Sequence, residues 1–195
     1  MVGILLAAGL SRRMGQTKLL LPLGGQPVIR RSAECVLAGG VEELIVVTGA
    51  EHGALDLALA GLPVRLVMNP RPEAGQGSSI SVGIGALSAR TRAALIALGD
   101  QPSLPREVIP ALLAAFTRTG TAIVAPRYRE GRGNPVLFGR EVFPELLDLS
   151  GDRGARSVVE RDPGRVLLVD FDLTMPPDLD TGDDYDRLRS QHEPV

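Results

Sequence analysis

A single lysine, Lys18, closes a stretch of small and basic residues that begins where an apolar run ends: Ala7-Ala8-Gly9-Leu10-Ser11-Arg12-Arg13-Met14-Gly15-Gln16-Thr17-Lys18. Small residues directly after a strand let the backbone approach a ligand closely. Their N–H groups can then cradle phosphate oxygens. Arg13 and Lys18 add the positive charge that a triphosphate requires. The remaining members of the 21 Lys+Arg are all arginine, so lysine has been kept in one place only. A compact ammonium on a flexible stem suits point contact with phosphate. Two other phosphate-binding loops do not fit: Gly9 and Gly15 are too far apart for Gly-x4-Gly-Lys-Ser/Thr, and Gly-x-Gly-x-x-Gly is absent. A plain glycine turn with surface arginines is the competing reading of this loop.

Further candidates stand after later apolar runs. Asp100 lies in Gly99-Asp100-Gln101-Pro102, directly after the run 93–98. Mg²⁺ takes one or two carboxylates plus phosphate oxygens, and a carboxylate at a strand end is placed for it. A turn or helix-cap aspartate is the alternative, because Pro102 and Pro105 precede a helix-period segment. Asp178-Leu179-Asp180-Thr181 spaces its carboxylates by two, which in extended chain puts them on one face. Asp183, Asp184 and Asp186 follow, so a solvated acidic turn before a helix competes here. Gln76-Gly77-Ser78-Ser79-Ile80-Ser81 offers hydroxyls and N–H groups that suit nucleotide recognition and helix capping alike. Arg127, Arg129 and Arg132 either meet an anionic acceptor or form an ordinary charged surface.

The elements that must position these residues are legible as alternating patterns. Short apolar runs at 2–7, 44–48, 64–68, 93–98, 122–125 and 166–169 read as strands covered on both faces. Helix-period segments near 27–38, 52–60, 78–88 and 105–118 separate them, with further helices at 140–149, 153–161 and 183–190. Such alternation predicts an α/β fold: a mostly parallel sheet with helices on both sides, binding ligands at the carboxyl ends of its strands. With 195 residues and no linker, one domain over 1–190 with a frayed tail at 191–195 is expected.

Composition excludes several alternatives. Net charge is −2 and aromatics make up 3%, which argues against nucleic acid as a partner. The one cysteine, Cys35, forbids an internal disulfide and reads as a buried apolar residue. His52 and His192 have no neighbours for a zinc site. The apolar start at Met1 ends at Gly9 without a basic leader, and no apolar run approaches the roughly 20 residues that span a bilayer. A cytoplasmic protein with no membrane partner is expected.

The stretch Leu6-Ala7-Ala8-Gly9-x-Ser11-x-Arg13-Met14-Gly15-x-x-Lys18-Leu19-Leu20 resembles the signature loop of the MobA-like nucleotidyltransferases. More narrowly it resembles the molybdenum cofactor cytidylyltransferase branch, because Ala8 stands where guanylyltransferases usually carry a second glycine. Gly99-Asp100-Gln101-Pro102 and Asp178-Leu179-Asp180-Thr181 are similar to two further family motifs, and Leu149 to Arg156 is similar to an element on the acceptor side. There are two departures: Asn134 replaces the branch's usual His, and Gly182 replaces the usual Pro.

The resemblance implies a single-domain, Rossmann-like three-layer α/β/α sandwich of the nucleotide-diphospho-sugar transferase type. It implies nucleotide contacts from Leu6, Ala7, Ala8, Gly9, Ser11, Arg13, Lys18, Gly77, Ser81 and Asp100, with Arg13, Lys18 and Asp100 catalytic. Mg²⁺, with Mn²⁺ as a substitute, would sit on Asp100 and Asp180, supported by Asp178. The implied reaction joins CTP to molybdopterin cofactor and releases pyrophosphate, and a molybdenum hydroxylase receives the product. Three rivals stay open: the same chemistry with GTP or another phosphorylated acceptor, a non-catalytic cofactor carrier or insertion chaperone, and a nicotinamide- or flavin-dependent oxidoreductase.

Overall fold

A computed structural model describes residues 1–9 and 17–192, with side chains through residue 190. The strands are β1 (Val2–Ala7), β2 (Pro22–Leu23), β3 (Gln26–Pro27), β4 (Glu43–Thr48), β5 (Val64–Met68), β6 (Ala93–Leu98), β7 (Ile123–Tyr128), β8 (Gly131–Arg132), β9 (Val136–Gly139) and β10 (Val166–Asp170). The helices are α1 (Val28–Ala38), α2 (His52–Ala58), α3 (Gln76–Gly85), α4 (Val108–Thr119), α5 (Phe143–Leu147), α6 (Arg156–Arg161) and α7 (Gly182–His192). Each strand and helix expected from the apolar periodicity is present within a few residues.

The main sheet runs β10-β7-β9-β6-β1-β4-β5, with β8 paired to β7. Strands β6, β1, β4 and β5 are mutually parallel, and β10 is parallel to β7. Strand β9 runs antiparallel to both β6 and β7, between which it is inserted. The sheet is therefore mixed. The four residues of β9 are too few to stand out as a strand against a background of loop residues.

Alternation along each strand builds the layers. On β1, Leu5 and Ala7 face one core while Val2 and Ile4 face the other. On β6, Leu95 and Ala97 share the first core and Ala94 and Ile96 the second. The first core is covered by apolar faces of α1, α2, α4 and α7, through residues such as Ile29, Leu55, Leu112 and Leu188. The second is covered by α3, α5 and α6, through Ile80, Ile84, Leu146 and Val158. The result is an α/β/α sandwich with β6 central and β1 beside it. Because β1 and β6 are covered on both faces, they read as continuous apolar runs.

Strands β2 and β3 form a small hairpin after Lys18. It turns through Gly24 and Gly25, at φ 54° and 80°, the left-handed pair that a two-residue hairpin turn requires. Among the described residues, no helix is long and apolar enough to cross a membrane.

Candidate active site

The candidate residues converge at the carboxyl ends of β1 and β6. The Gly99 N–H donates to Leu6 O at 2.9 Å, carrying the β1–β6 ladder into the turn. A Cβ on Gly99 would lie 2.9 Å from Leu6 O and 3.0 Å from Ile29 Cδ1, so a glycine is needed for the chain to turn here. This turn sets Asp100 beside the loop that follows β1. From the other direction, the Leu179 N–H donates to Asp100 O at 3.0 Å, and the Leu179 side chain is fully buried. That anchor brings Asp178 and Asp180 to the same place.

Lys18 reaches the carboxylates of both Asp100, after β6, and Asp180, before α7. Its Nζ donates to Asp100 Oδ2 at 2.6 Å and to Asp180 Oδ1 at 2.9 Å. The Lys18 and Asp100 side chains are mostly buried, whereas Asp180 is half exposed. Burial pulls the Lys18 ammonium toward deprotonation. The charges and hydrogen bonds of Asp100 and Asp180 more than reverse this and hold its pKa above the ordinary lysine value. Asp178 turns to a different partner: Gln101 Nε2 donates to its Oδ1 at 2.7 Å, and Gln101 is buried. Asp178 keeps an exposed edge, yet desolvation of its carboxyl, then the charges of Asp100 and Asp180, raise its pKa despite the Gln101 bond. The period-two pair thus divides, with Asp180 on the lysine and Asp178 on the glutamine. Thr181 caps α7: its N–H and hydroxyl both donate to Asp184 Oδ2, at 2.9 and 2.7 Å. The acidic-turn reading therefore accounts for Asp184, while Asp180 looks inward to Lys18.

Leu6, Ala7, Ala8 and Gly9 lie at the end of β1, with Ala7 and Ala8 buried and Gly9 exposed. Ser11 and Arg13 lie outside the described residues. Gly77 and Ser81 have internal partners. The Gly77 N–H donates to Gly151 O at 2.9 Å, and Ser81 Oγ donates to Leu147 O at 2.7 Å. The first bond ties α3 to the segment after α5 and the second to the end of α5 itself. A Cβ on Gly77 would stand 2.8 Å from Ser150 N, so two backbones cross here at glycine distance. Gly77→Ala should prise α3 from that segment and lower stability by about 1–3 kcal/mol. A denaturant midpoint that stays put would remove this reading.

Beside the Lys18 cluster lies a cleft of about 880 Å³. Leu6, Ile96, Leu98 and Val136 give it an apolar floor, and Gln101 and Asp178 connect it to Asp100 and Asp180. Arg132, Asn134, Arg153 and Arg156 also line it. Asn134 is placed by Tyr128, whose hydroxyl donates to Asn134 O at 2.9 Å. Burial of Tyr128 pushes its phenol pKa up, and a Cβ on Gly133 would meet the ring at 2.7 Å. Of the three arginines singled out in this region, Arg127 and Arg129 pair with Asp170 and Asp172, and only Arg132 enters the cleft. Arg153 and Arg156 had drawn notice only through the motif they share. Cys35 is half buried, not fully, with Sγ 3.6 Å from Pro102 O, and burial raises its pKa. His52 Nδ1 lies 2.7 Å from Thr48 Oγ1, and His52 does not line the cleft.

A sandwich of this topology, with its polar cluster at the carboxyl ends of β1 and β6, is the nucleotide-diphospho-sugar transferase fold. The chain belongs to the MobA-like NTP transferases: the MobA-like NTP transferase domain matches residues 3–166, and the class to which the chain belongs is that of nucleotidyltransferases. It is 34% identical to nicotine blue oxidoreductase of Paenarthrobacter nicotinovorans, over 97% of this chain and 94% of that protein. It is 31% identical to the molybdenum cofactor guanylyltransferase of Rhodobacter capsulatus, over 96% of each. The manganese complex of Rv0371c from Mycobacterium tuberculosis H37Rv superposes with a TM-score of 0.82 at 31% identity, over 97% of each chain.

Proposed function

We propose that the chain joins the nucleotidyl group of CTP to the phosphate of molybdopterin cofactor and releases pyrophosphate. The observation that carries this reading is Lys18 held between Asp100 and Asp180, at the strand ends where the signature loop begins and beside a cleft large enough for an acceptor. The Rhodobacter relative, a molybdenum cofactor guanylyltransferase by name, supports the acceptor. Ala8, where guanylyltransferases usually carry glycine, supports CTP over GTP.

A divalent cation fits the residues present. Asp100 and Asp180 are hard oxygen donors that already converge on one cation, the Lys18 ammonium. Among the described residues, no group of three or more His, Cys, Asp or Glu is disposed to hold a metal. Two carboxylates with the rest of the shell left to phosphate and water is the arrangement Mg²⁺ favours. The manganese complex of the Mycobacterium tuberculosis relative supports a divalent ion, and Mn²⁺ would substitute. When bound, the ion would neutralise charge on the reacting phosphates.

The protein's own part is positioning and charge. Lys18, released from the carboxylates, holds phosphate oxygens of the triphosphate as pyrophosphate departs. Arg13 would share this work. The phosphate oxygen of the acceptor forms a bond to the α-phosphorus, the bond from that phosphorus to the bridging β oxygen breaks, and pyrophosphate leaves. A phosphomonoester is already anionic near neutral pH, so no proton needs removing and no base is required. Orientation of two anionic reactants in one cleft supplies the remaining rate.

The test is Mg²⁺-dependent pyrophosphate release from CTP, GTP, ATP and UTP, with and without molybdopterin cofactor. The expected result is CTP-selective release that needs the cofactor. Release with GTP alone would overturn the base assignment, and nucleotide binding without turnover would favour a carrier. The oxidoreductase name of the Paenarthrobacter relative supports a second reading, binding of NAD(P)H. This chain lacks Gly-x-Gly-x-x-Gly, and absence of NAD(P)H binding in the same preparation would close that reading.

A further inference from the structure

The cleft contains an excess of arginine around one carboxylate. Glu160, on α6, accepts from Arg156 Nε at 2.7 Å and from Arg153 Nη2 at 2.8 Å. Arg132, from β8, brings its Nη2 to 3.8 Å from Glu160 Oε1, too far for a hydrogen bond. All four residues line the cleft. The pairs Arg127–Asp170 and Arg129–Asp172 are one to one and stay outside the cleft, as does Glu145, which takes Arg161 and Arg165. The two other cleft carboxylates lie elsewhere: Asp152 beside Gly75, where a Cβ would meet its Oδ1 at 2.7 Å, and Asp178 on Gln101. Three guanidinium groups against one carboxylate leave a local surplus of two positive charges in a chain whose net charge is −2.

We propose that Arg132, Arg153 and Arg156 form a site for a phosphomonoester dianion, and that Glu160 is its built-in competitor. This rests on the reading above in one respect, that the acceptor carries a phosphomonoester. A carboxylate offers two oxygens and one charge, and here Arg132 donates no hydrogen bond to it. A phosphomonoester offers three oxygens and two charges, which match three guanidinium forks. Arg153 and Arg156 are largely exposed, so their bonds to Glu160 are weak and readily exchanged. A dianion displaces Glu160; a monoanion has no advantage over it. The reaction converts the acceptor phosphate from a monoester into one half of a diphosphate bridge, which carries a single negative charge there. Glu160 then recovers the arginines, and the product is released. Glu160 therefore sets the charge a ligand needs to hold the arginines, a threshold that the acceptor passes and the product does not.

The experiment is calorimetric binding of phenyl phosphate, a monoester, and methyl phenyl phosphate, a diester, at pH 8 and low salt. At that pH the monoester is a dianion, since its second ionisation lies near about pH 6. Wild type should prefer the monoester by about tenfold or more, a preference that shrinks as salt rises. Glu160→Gln should raise the affinity of both esters by about tenfold, because neither then has a carboxylate to displace. Arg132→Gln, which leaves the α6 pairs untouched, should weaken the monoester more than the diester. Equal binding of both esters by wild type, or an unchanged affinity for both in Glu160→Gln, overturns the proposal. No nucleotide is used, so ester discrimination without pyrophosphate release would sink the donor chemistry and leave this site standing.

Discussion

Asp100→Asn is expected to lower turnover by about two to three orders of magnitude while leaving the fold in place. The prediction follows from the separate duties of side chain and backbone at this position. The backbone of Asp100 receives the Leu179 N–H at 3.0 Å, and Gly99 joins the β1 end at 2.9 Å; neither bond involves the carboxylate. Asparagine is nearly isosteric, so both should survive. What changes is charge. The carboxylate that lies 2.6 Å from Lys18 Nζ becomes a neutral amide. In the proposed mechanism the metal loses its better-buried ligand and Lys18 loses the partner that most strongly favours its charged form. The measurement is kcat for pyrophosphate release beside the denaturant midpoint. A variant within several-fold of wild type would remove Asp100 from the chemistry. A collapsed midpoint would assign it to structure instead.

Asp100 was legible from sequence because the features that place it are local. An apolar run, a glycine and a nearby proline put a carboxylate at a strand end, and the sheet topology brings that end to β1. Spacing marked Asp178 and Asp180 as a pair and the family resemblance singled out Asp180, but their separation onto different partners was not legible. That separation depends on Leu179 being buried against the Asp100 backbone and on Gln101 reaching Asp178, both contacts across the fold. The same limit applies to β9, whose partners β6 and β7 both precede it in sequence and enclose it only in the folded sheet. Gly77 and Ser81 show the reverse case. Their types suit a nucleotide, yet the structure gives their N–H and hydroxyl to Gly151 and Leu147. Sequence could mark them as special but not say toward what. The arginine cluster at Glu160 was hardest to foresee, because Arg132 and Arg156 come from separate segments and meet only when β8 and α6 flank one cleft.

Lys18→Met should separate catalysis from metal binding, and for that reason it tests the site more sharply than a loss of activity alone. Methionine keeps much of the side-chain length and removes the ammonium. Turnover should fall by about a hundredfold or more, because no compact cation remains to meet the leaving phosphates. Binding of Mn²⁺ alone should move the other way and tighten by about tenfold, since Lys18 currently competes for Asp100 Oδ2 and Asp180 Oδ1. Stability should drop by about 1–2 kcal/mol from Asp100, which is mostly buried and loses a charged partner; half-exposed Asp180 adds little. The pH dependence has a definite sign. A lysine whose pKa is raised in the folded state contributes stability that is fully present below the unfolded value of 10.5 and is lost as pH rises through the folded value. The stability gap between metal-free wild type and variant should therefore be flat from about pH 6 to pH 9 and close only in alkali. Lys18→Arg is the companion: it keeps charge but presents a planar fork, so it should hold the stability and recover only part of the turnover. Weaker Mn²⁺ binding in Lys18→Met would mean that the lysine organises the carboxylates rather than competing for them, and the proposed exchange between ammonium and metal would fall.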